Sequence, residues 1–149
     1  MNRAKLRDRL EREWKAFLKS FAGLPDNALM EPGAVGHWSV RDVLAHITTW
    51  EEEALKALPL VLEGKRLPRY GGIDAFNARE QERKRDYSLE RIKRELTATH
   101  QHLMAFLASC PKGDYATESR FRRRLRWDTY NHYREHTAQI TAWRAERGL

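Results

Sequence analysis

Four segments of this 149-residue chain repeat apolar residues at intervals of three and four, and this spacing constrains the fold more than any other feature. The segments run from about Arg3 to Ala22, from Ser39 to Gly64, from Ser88 to Pro111, and from about Trp127 to Arg147. Residues three and four apart lie on one face of an α-helix. Each segment therefore predicts a helix with one apolar side, which must be buried against another helix.

Capping and helix-breaking residues support these limits. Ser39 is a predicted N-cap, and Asp42 three residues later completes a variant of the capping box. Pro59 predicts that the second helix ends or kinks there, because proline has no N–H for the helical hydrogen bond. Pro111 and Gly113 are predicted to stop the third helix.

A long connection, residues 62–88, joins the second and third helices. Within it, the Gly71-Gly72 pair indicates a turn, and Asp74 to Asp86 predicts an additional, mostly polar helix. Four amphipathic helices with one long crossover predict an all-α four-helix bundle. A chain of this length is large enough for its own hydrophobic core, so residues 1–149 are predicted to form a single domain.

The charge balance favours anionic partners without identifying them. The chain has 28 Lys and Arg against 21 Asp and Glu, a formal charge of +7, which attracts anions over long range. Nucleic acid, an anionic small substrate and simple solubility all remain open. Because no apolar run reaches the roughly 18–20 residues that cross a bilayer, no membrane association is expected. The charged N-terminus lacks a signal-peptide pattern, and one cysteine, Cys110, excludes an intramolecular disulfide; we therefore expect a cytoplasmic protein.

Three histidines occur where apolar residues are expected, and they predict a metal site. His132 and His136 are four apart, so they lie on one side of the fourth helix, and His46 lies at the margin of the apolar stripe of the second. All three are thus placed to reach the bundle interior. Three imidazoles can bind one divalent metal ion and leave coordination positions open for chemistry. The alternative is that each is a core histidine, hydrogen-bonded to a neighbour.

Other polar and aromatic residues near these histidines are weaker candidates for the site. Glu53 lies nearer the face of His46 than Glu51 does and is a candidate base, while Tyr133 is a candidate proton donor. Trp50, one turn beyond His46, is placed to wall a substrate cavity. Each has a simpler alternative, a solvated carboxylate or an ordinary packing residue.

Two further groups are placed near the same site by helical spacing. His100 lies close to the apolar stripe of the third helix and is predicted to face the same cavity, whereas His102 points away. Asp128, one turn before His132, and Glu135 are candidate acceptors for an imidazole N–H. For Glu135, solvent exposure is the better interpretation.

A basic segment supports a competing hypothesis, a non-catalytic binding module. Residues Arg120 to Trp127 hold five arginines among aromatic residues, and residues 65–70 form another basic loop. Arginine binds phosphate through two nitrogens and stacks on bases, so this segment is suited to nucleic acid or an anionic ligand. The alternative is a solvated loop and helix start, although cations are unfavourable near a helix N-terminus.

Two of these motifs resemble the DinB-like superfamily. Trp38 to Glu51, W-S-x-x-D-V-L-A-H-I-T-x-W-E, resembles the superfamily's second-helix signature, and residues 132–140 resemble its C-terminal H-x3-H signature. The Trp50-Glu51 pair, the GIDAFNA crossover and the HYREHTAQI ending are most similar to the branch that contains DfsB and ClbS.

This resemblance implies an up-up-down-down bundle, often dimeric, with a nickel or zinc ion held by His46, His132 and His136. Some members of the superfamily transfer bacillithiol, mycothiol or glutathione, and another is a hydrolase that protects DNA. We therefore expect a metal-dependent hydrolase or thiol transferase, acting on a small molecule in detoxification or stress protection, as a homodimer. A low-molecular-weight thiol is the expected second substrate in the transferase case.

Overall fold

The computed structural model describes residues 2–111, 115 and 117–149, and this part of the chain is all-α, as predicted. Its helices are α1 (Arg3–Phe21), α2 (Asp26–Leu29), α3 (Val40–Leu62), α4 (Ile73–Arg83), α5 (Leu89–Ser109), α6 (Arg120–Asp128) and α7 (Tyr130–Arg147). None of the helices in the described residues is both long and apolar enough to cross a membrane. Gly113, a predicted helix stop, lies outside the described residues.

Most of the predicted helix limits are confirmed by local hydrogen bonds. The capping box at α3 is complete: the Asp42 amide donates to Ser39 Oγ at 3.1 Å, and the Ser39 amide donates to Asp42 Oδ2 at 3.0 Å. Pro59 is predicted to end or kink the helix; it lies inside the last turn of α3, which continues to Leu62, so the helix does not end there, and the kink stays a prediction. The helix expected at 74–86 is present as α4 and has no buried residue.

Helices α1 and α5 pack antiparallel. Near the start of α1, Arg3 Nη2 donates to the carbonyl of Leu107, close to the end of α5, at 3.2 Å. Further along α1, the Trp14 indole stacks on the ring of His100, a full two turns earlier in α5, with 3.6 Å between ring centroids. The two helices therefore run in opposite directions.

Helices α3 and α5 run in the same direction. Arg41, at the start of α3, donates to the carbonyl of Tyr87, just before α5, at 2.8 Å. Farther along both helices, Glu51 Oε2 lies 2.8 Å from His100 Nδ1. Two adjacent parallel helices require a connection that returns along the length of the bundle, and residues 63–88, with α4, provide it.

Helices α1 and α7 are also parallel, which gives an up-down-down-up order. The Arg9 guanidinium lies 4.7 Å from the Tyr130 ring centroid, near the start of α7, and Arg144 near its end donates to the carbonyl of Ala22 at 2.8 Å. The four-helix bundle and its long crossover are confirmed, but the expected up-up-down-down order is wrong. The connection after α1, residues 22–39 with α2, reverses the chain direction, whereas the long crossover between α3 and α5 preserves it.

The basic segment is part of a helix rather than a loop. Phe121 and Leu125, four residues apart, are both buried in the core, so the arginines project from the other sides of α6. Thr129, with φ −125° and ψ −101°, separates α6 from α7. The fourth helix predicted from about Trp127 to Arg147 is therefore present as α7, which begins three residues later, at Tyr130, directly before the segment that holds His132.

Candidate metal centre

The three predicted histidines converge between α3 and α7. His46 Nε2 lies 2.9 Å from His132 Nε2, and candidate ligand atoms of all three residues lie within 4.8 Å of one another. The ring centroid of His136 lies 5.2 Å from that of His46 and 4.7 Å from that of His132. His46 and His136 are buried, and His132 is partly exposed. Their predicted convergence in the bundle interior is confirmed.

Burial keeps these imidazoles uncharged at neutral pH. It lowers the pKa of His46 to about 3, with smaller contributions from the charges of His136 and Lys84. Burial, followed by the charges of its two histidine neighbours, lowers the pKa of His132 well below its ordinary value. Burial lowers that of His136 as well. Neutral imidazoles keep the lone pairs that metal binding needs.

The hydrogen bonds and orphaned atoms of the cluster fit a bound cation. His136 Nδ1–H donates to Gln139 Oε1 at 2.7 Å, which leaves its Nε2 free to bind a metal ion. The Nε2 atoms of His46 and His132 face each other at 2.9 Å, and when both rings carry their hydrogen on Nδ1, two lone pairs are directed at the same point, as ligands of one cation are. His132 Nδ1 is buried without a partner in the described residues. Three nitrogen donors without a carboxylate suit zinc or nickel better than magnesium or calcium.

The histidines line a cavity of about 950 Å³ with aromatic walls. Trp50 forms part of the wall, as predicted, and its Nε1 donates to Asn77 Oδ1 on α4 at 2.9 Å. Trp127, of which 71% is exposed, lines the cavity from α6. Other lining residues include Trp38, Tyr70, Ile73 and Glu135. A cavity of this size and apolar character suits a small organic molecule.

A buried ion pair lies beside the histidines. Arg124 Nε donates to Asp128 Oδ2 at 2.6 Å, and its Nη2 donates to the Tyr70 hydroxyl at 2.7 Å. Burial raises the pKa of Asp128 to about 6, although the charge and hydrogen bond of Arg124 favour the carboxylate. The guanidinium also lies 5.7 Å from the Trp50 ring centroid. The resolved partner of Asp128 is thus Arg124 rather than an imidazole.

The remaining site candidates lie elsewhere. His100 lines a second, smaller cavity, so the prediction that it faces the same cavity as the other histidines is wrong. Glu53 binds Lys56 Nζ at 2.9 Å, and the Tyr133 hydroxyl donates to Glu51 Oε2 at 2.9 Å. Neither Glu53 nor Tyr133 lines the larger cavity.

Sequence reasoning missed the role of Glu51, which is fully buried. It accepts hydrogen bonds from both His100 and Tyr133. The signal was present, since Glu51 follows the buried Ile47 by four residues and precedes Ala54 by three. A carboxylate at such a position needs buried donors.

Comparison with known proteins supports this fold. The sequence profile of the DinB superfamily matches residues 9–143. No curated protein matches the chain in sequence. Its structure is similar to that of "Sibling Lethal Factor Precursor - DfsB", with a TM-score of 0.83, 13% identity, and coverage of 99% of this chain and 97% of that one. It is also similar to the colibactin self-resistance protein ClbS in complex with a dsDNA, with a TM-score of 0.82, 14% identity, and coverage of 97% and 96%. A protein from Streptococcus pneumoniae gives a TM-score of 0.79 at 14% identity, with coverage of 97% and 91%. At these identities the structural similarities establish the fold alone.

Proposed function

We propose that the chain, which belongs to the DinB superfamily, is a metal-dependent enzyme that binds zinc or nickel through His46, His132 and His136. One observation carries the proposal: three neutral imidazoles, two buried and one partly exposed, converge within 4.8 Å on the wall of a cavity that fits a small molecule. Structural histidines need only one hydrogen-bonding neighbour each, whereas three converging nitrogen donors match the requirements of a metal ion with open coordination positions.

In such a site, the histidines and the residues around them have different roles. A divalent metal ion, when bound, lowers the pKa of water or of a thiol and so supplies a nucleophile near neutral pH. The histidines fix the position of that ion. Trp50 and Tyr70 provide flat apolar surfaces for the substrate, and Arg124 is held against them by Asp128 and Tyr70. This arrangement orients an uncharged or weakly anionic substrate and excludes water from its apolar part.

The reaction is either hydrolysis or thiol transfer, and the role that we propose is detoxification or stress protection. The two reactions are separated by their products. The protein loaded with zinc or nickel is incubated with 1-chloro-2,4-dinitrobenzene and glutathione, bacillithiol or mycothiol, and separately with 4-nitrophenyl acetate. A transferase forms the thioether in the first assay, and a hydrolase releases nitrophenol in the second.

The homodimer that the superfamily resemblance implies stays a prediction, which light scattering after size-exclusion chromatography tests.

Metal content is the direct test of the proposal. Elemental analysis of protein purified without chelator is expected to give about one equivalent of zinc or nickel, because three neutral imidazoles form one site. The His132→Ala/His136→Ala double variant is expected to lose it. His102→Ala, which removes an exposed histidine from α5, is the matched control and should keep the metal. Wild-type protein that binds neither metal on titration, while folded, contradicts the proposal.

Nucleic-acid binding is the second candidate, and one feature of α6 favours it. Arg120, Arg123 and Trp127 are exposed on this helix, and arginine with tryptophan suits phosphate contact and base stacking. The similar structure of ClbS is a complex with a dsDNA. By contrast, Arg126 is already paired with Glu118 at 2.7 Å.

Fluorescence anisotropy with labelled DNA tests this candidate. If α6 binds phosphate, the affinity for DNA falls as salt increases from about 50 to 200 mM. Binding releases counterions from the DNA, and this release is less favourable at higher salt. Arg120→Glu/Arg123→Glu is expected to weaken binding strongly. The control is Arg85→Glu, at an exposed arginine on the crossover. No binding at 50 mM salt, or equal loss in the control, contradicts a role for α6.

A further inference from the structure

A second cavity, of about 370 Å³, lies between α1 and α5 and shares no lining residue with the larger one in the described part of the chain. Its walls are mostly apolar and come from both helices. The apolar lining includes Leu6, Leu10, Trp14, Met104 and Leu107. This volume is enough for a single-ring organic molecule and much too small for a macromolecule.

His100 lines this cavity and is hydrogen-bonded to the buried Glu51, which also binds Tyr133. Glu51, which is 0% exposed, receives the Tyr133 hydroxyl at 2.9 Å and His100 Nδ1 at 2.8 Å, both on Oε2. Its other oxygen, Oε1, is buried with no partner in the described residues. Because Nδ1 is committed to Glu51, only Nε2 of His100 remains to contact a molecule in the cavity. The bond to Glu51 fixes the orientation of the ring, and the tautomer with its hydrogen on Nδ1 leaves a lone pair on Nε2.

Trp14 holds the other side of this imidazole. The two rings are stacked with centroids 3.6 Å apart and planes 5° from parallel, and Trp14 also contacts Tyr133 edge-on at 5.0 Å. His100 therefore cannot turn without breaking both the stack and the bond to Glu51. A proton acceptor that is held this rigidly, at an apolar cavity, differs from a histidine that merely fills space.

The rim of the cavity is basic. Arg3, Arg7 and Lys15 line it, against one carboxylate, Glu11. Glu11 lies 3.3 Å from Arg7 Nε, so this pair is neutral overall, and Lys15 and Arg3 leave an excess positive charge. A ligand that fits therefore has an apolar body, a hydrogen-bond donor at its inner end and a negative charge at its outer end.

We propose that this cavity is a second binding site, which takes small hydroxyaryl acids: the hydroxyl donates to Nε2 of His100, the ring packs between α1 and α5, and the acid group lies at the Lys15 rim. Three elements of recognition thus correspond to three parts of the ligand. The site is independent of the metal centre, since its lining contains none of the three clustered histidines.

Three related probes test the assignment in the full-length protein by calorimetry and by the imidazole ¹H–¹³C signals. 4-Hydroxyphenylacetate carries both groups, phenylacetate lacks the hydroxyl, and 4-hydroxyphenethyl alcohol lacks the charge. We expect saturable binding of the first, with a shifted His100 signal, and weaker binding of the other two. Loss of one buried hydrogen bond corresponds to roughly a tenfold loss of affinity.

Two variants separate the proposed contacts. His100→Phe keeps a flat ring against Trp14 but removes Nε2, together with the Nδ1 contact to Glu51, so it should bind 4-hydroxyphenylacetate about tenfold more weakly and no longer prefer it to phenylacetate. Lys15→Glu changes only the exposed rim, and should weaken both acids while it leaves the alcohol unchanged. Trp127→Ala, at the larger cavity, is the control and should bind all three as the wild type does.

The proposal is overturned if none of the probes binds saturably to folded protein. It is also overturned if His100→Phe and Lys15→Glu bind like the wild type, or if Trp127→Ala alone abolishes binding. Metal content, measured on the same samples, is expected to be unchanged in all three variants. A failure of this site is therefore distinguishable from a failure of the metal centre.

Discussion

Acid is expected to destabilise the metal-free protein through its buried histidines. Burial lowers the pKa of His46 from 6.5 to about 3 in the folded state, whereas the unfolded chain keeps the ordinary value. Between these two values the unfolded state binds more protons, so stability is complete above pH 6.5 and decreases as the pH falls toward 3. The decrease is at most about 1.4 kcal/mol per pH unit for one group. From pH 7 to pH 5, His46 alone thus accounts for about 2 kcal/mol of lost stability. His132 and His136, whose pKa values are also lowered, act in the same direction.

Urea unfolding in the presence of EDTA measures this effect. The free energy of unfolding at pH 7 and pH 5 is compared among the wild type, His46→Gln, and His102→Gln, which changes an exposed histidine. Carboxylates that titrate in the same range contribute equally to all three, so they cancel in the comparison. His46→Gln should lose about 2 kcal/mol less than the wild type between the two pH values, and His102→Gln should match the wild type. A difference below about 0.5 kcal/mol for His46→Gln would refute the reasoning, because His46 would then titrate as it does in the unfolded chain.

Three substitutions test other parts of the structure. Arg41→Met removes donors to the carbonyls of residues 84, 85 and Tyr87, and should cost about 2–4 kcal/mol in urea unfolding, with faster amide exchange at the end of α4. Equal exchange rates there would contradict this role. Asp128→Leu removes both the charge and the acceptor that pair with the mostly buried Arg124 and should cost about 3–5 kcal/mol, whereas Asp128→Leu/Arg124→Met should recover part of the loss; a double variant no more stable than the single one would argue against the pair. Phe17→Ala opens a cavity in the core and should lower the unfolding free energy by about 3–5 kcal/mol, and a loss below about 1 kcal/mol would show that the site collapses.

The helices were predictable because the interactions that form them are local. Ser39 and Asp42 cap α3 through bonds that span three residues, and the Arg91 amide donates to Ser88 Oγ in the same way at α5. Helical spacing alone also identifies most of the buried positions. The exception is Thr129, where no proline or glycine marks the break between α6 and α7.

The metal-centre candidates were partly predictable for the same reason. Four-residue spacing places His132 and His136 on one side of a helix, and the apolar stripe turns His46 inward. The assignment of His100 to the same cavity failed, because a helical wheel gives the direction of a side chain relative to its own helix only. In the bundle, α5 turns this residue toward α1 and Trp14 instead.

The sequence by itself determined that the chain is an all-α bundle, where its long helices lie, and that three histidines point inward, since all of these depend on contacts within a few residues. Only the tertiary structure decided how the helices are directed, which histidines meet and which carboxylates are buried. The physical reason is that side-chain spacing specifies angles about a helix axis but not the distance, direction or rotation of a neighbouring helix. Those are set by packing across the core, which brings His46 Nε2 within 2.9 Å of His132 and places His100, bonded to the buried Glu51, in the wall of another cavity.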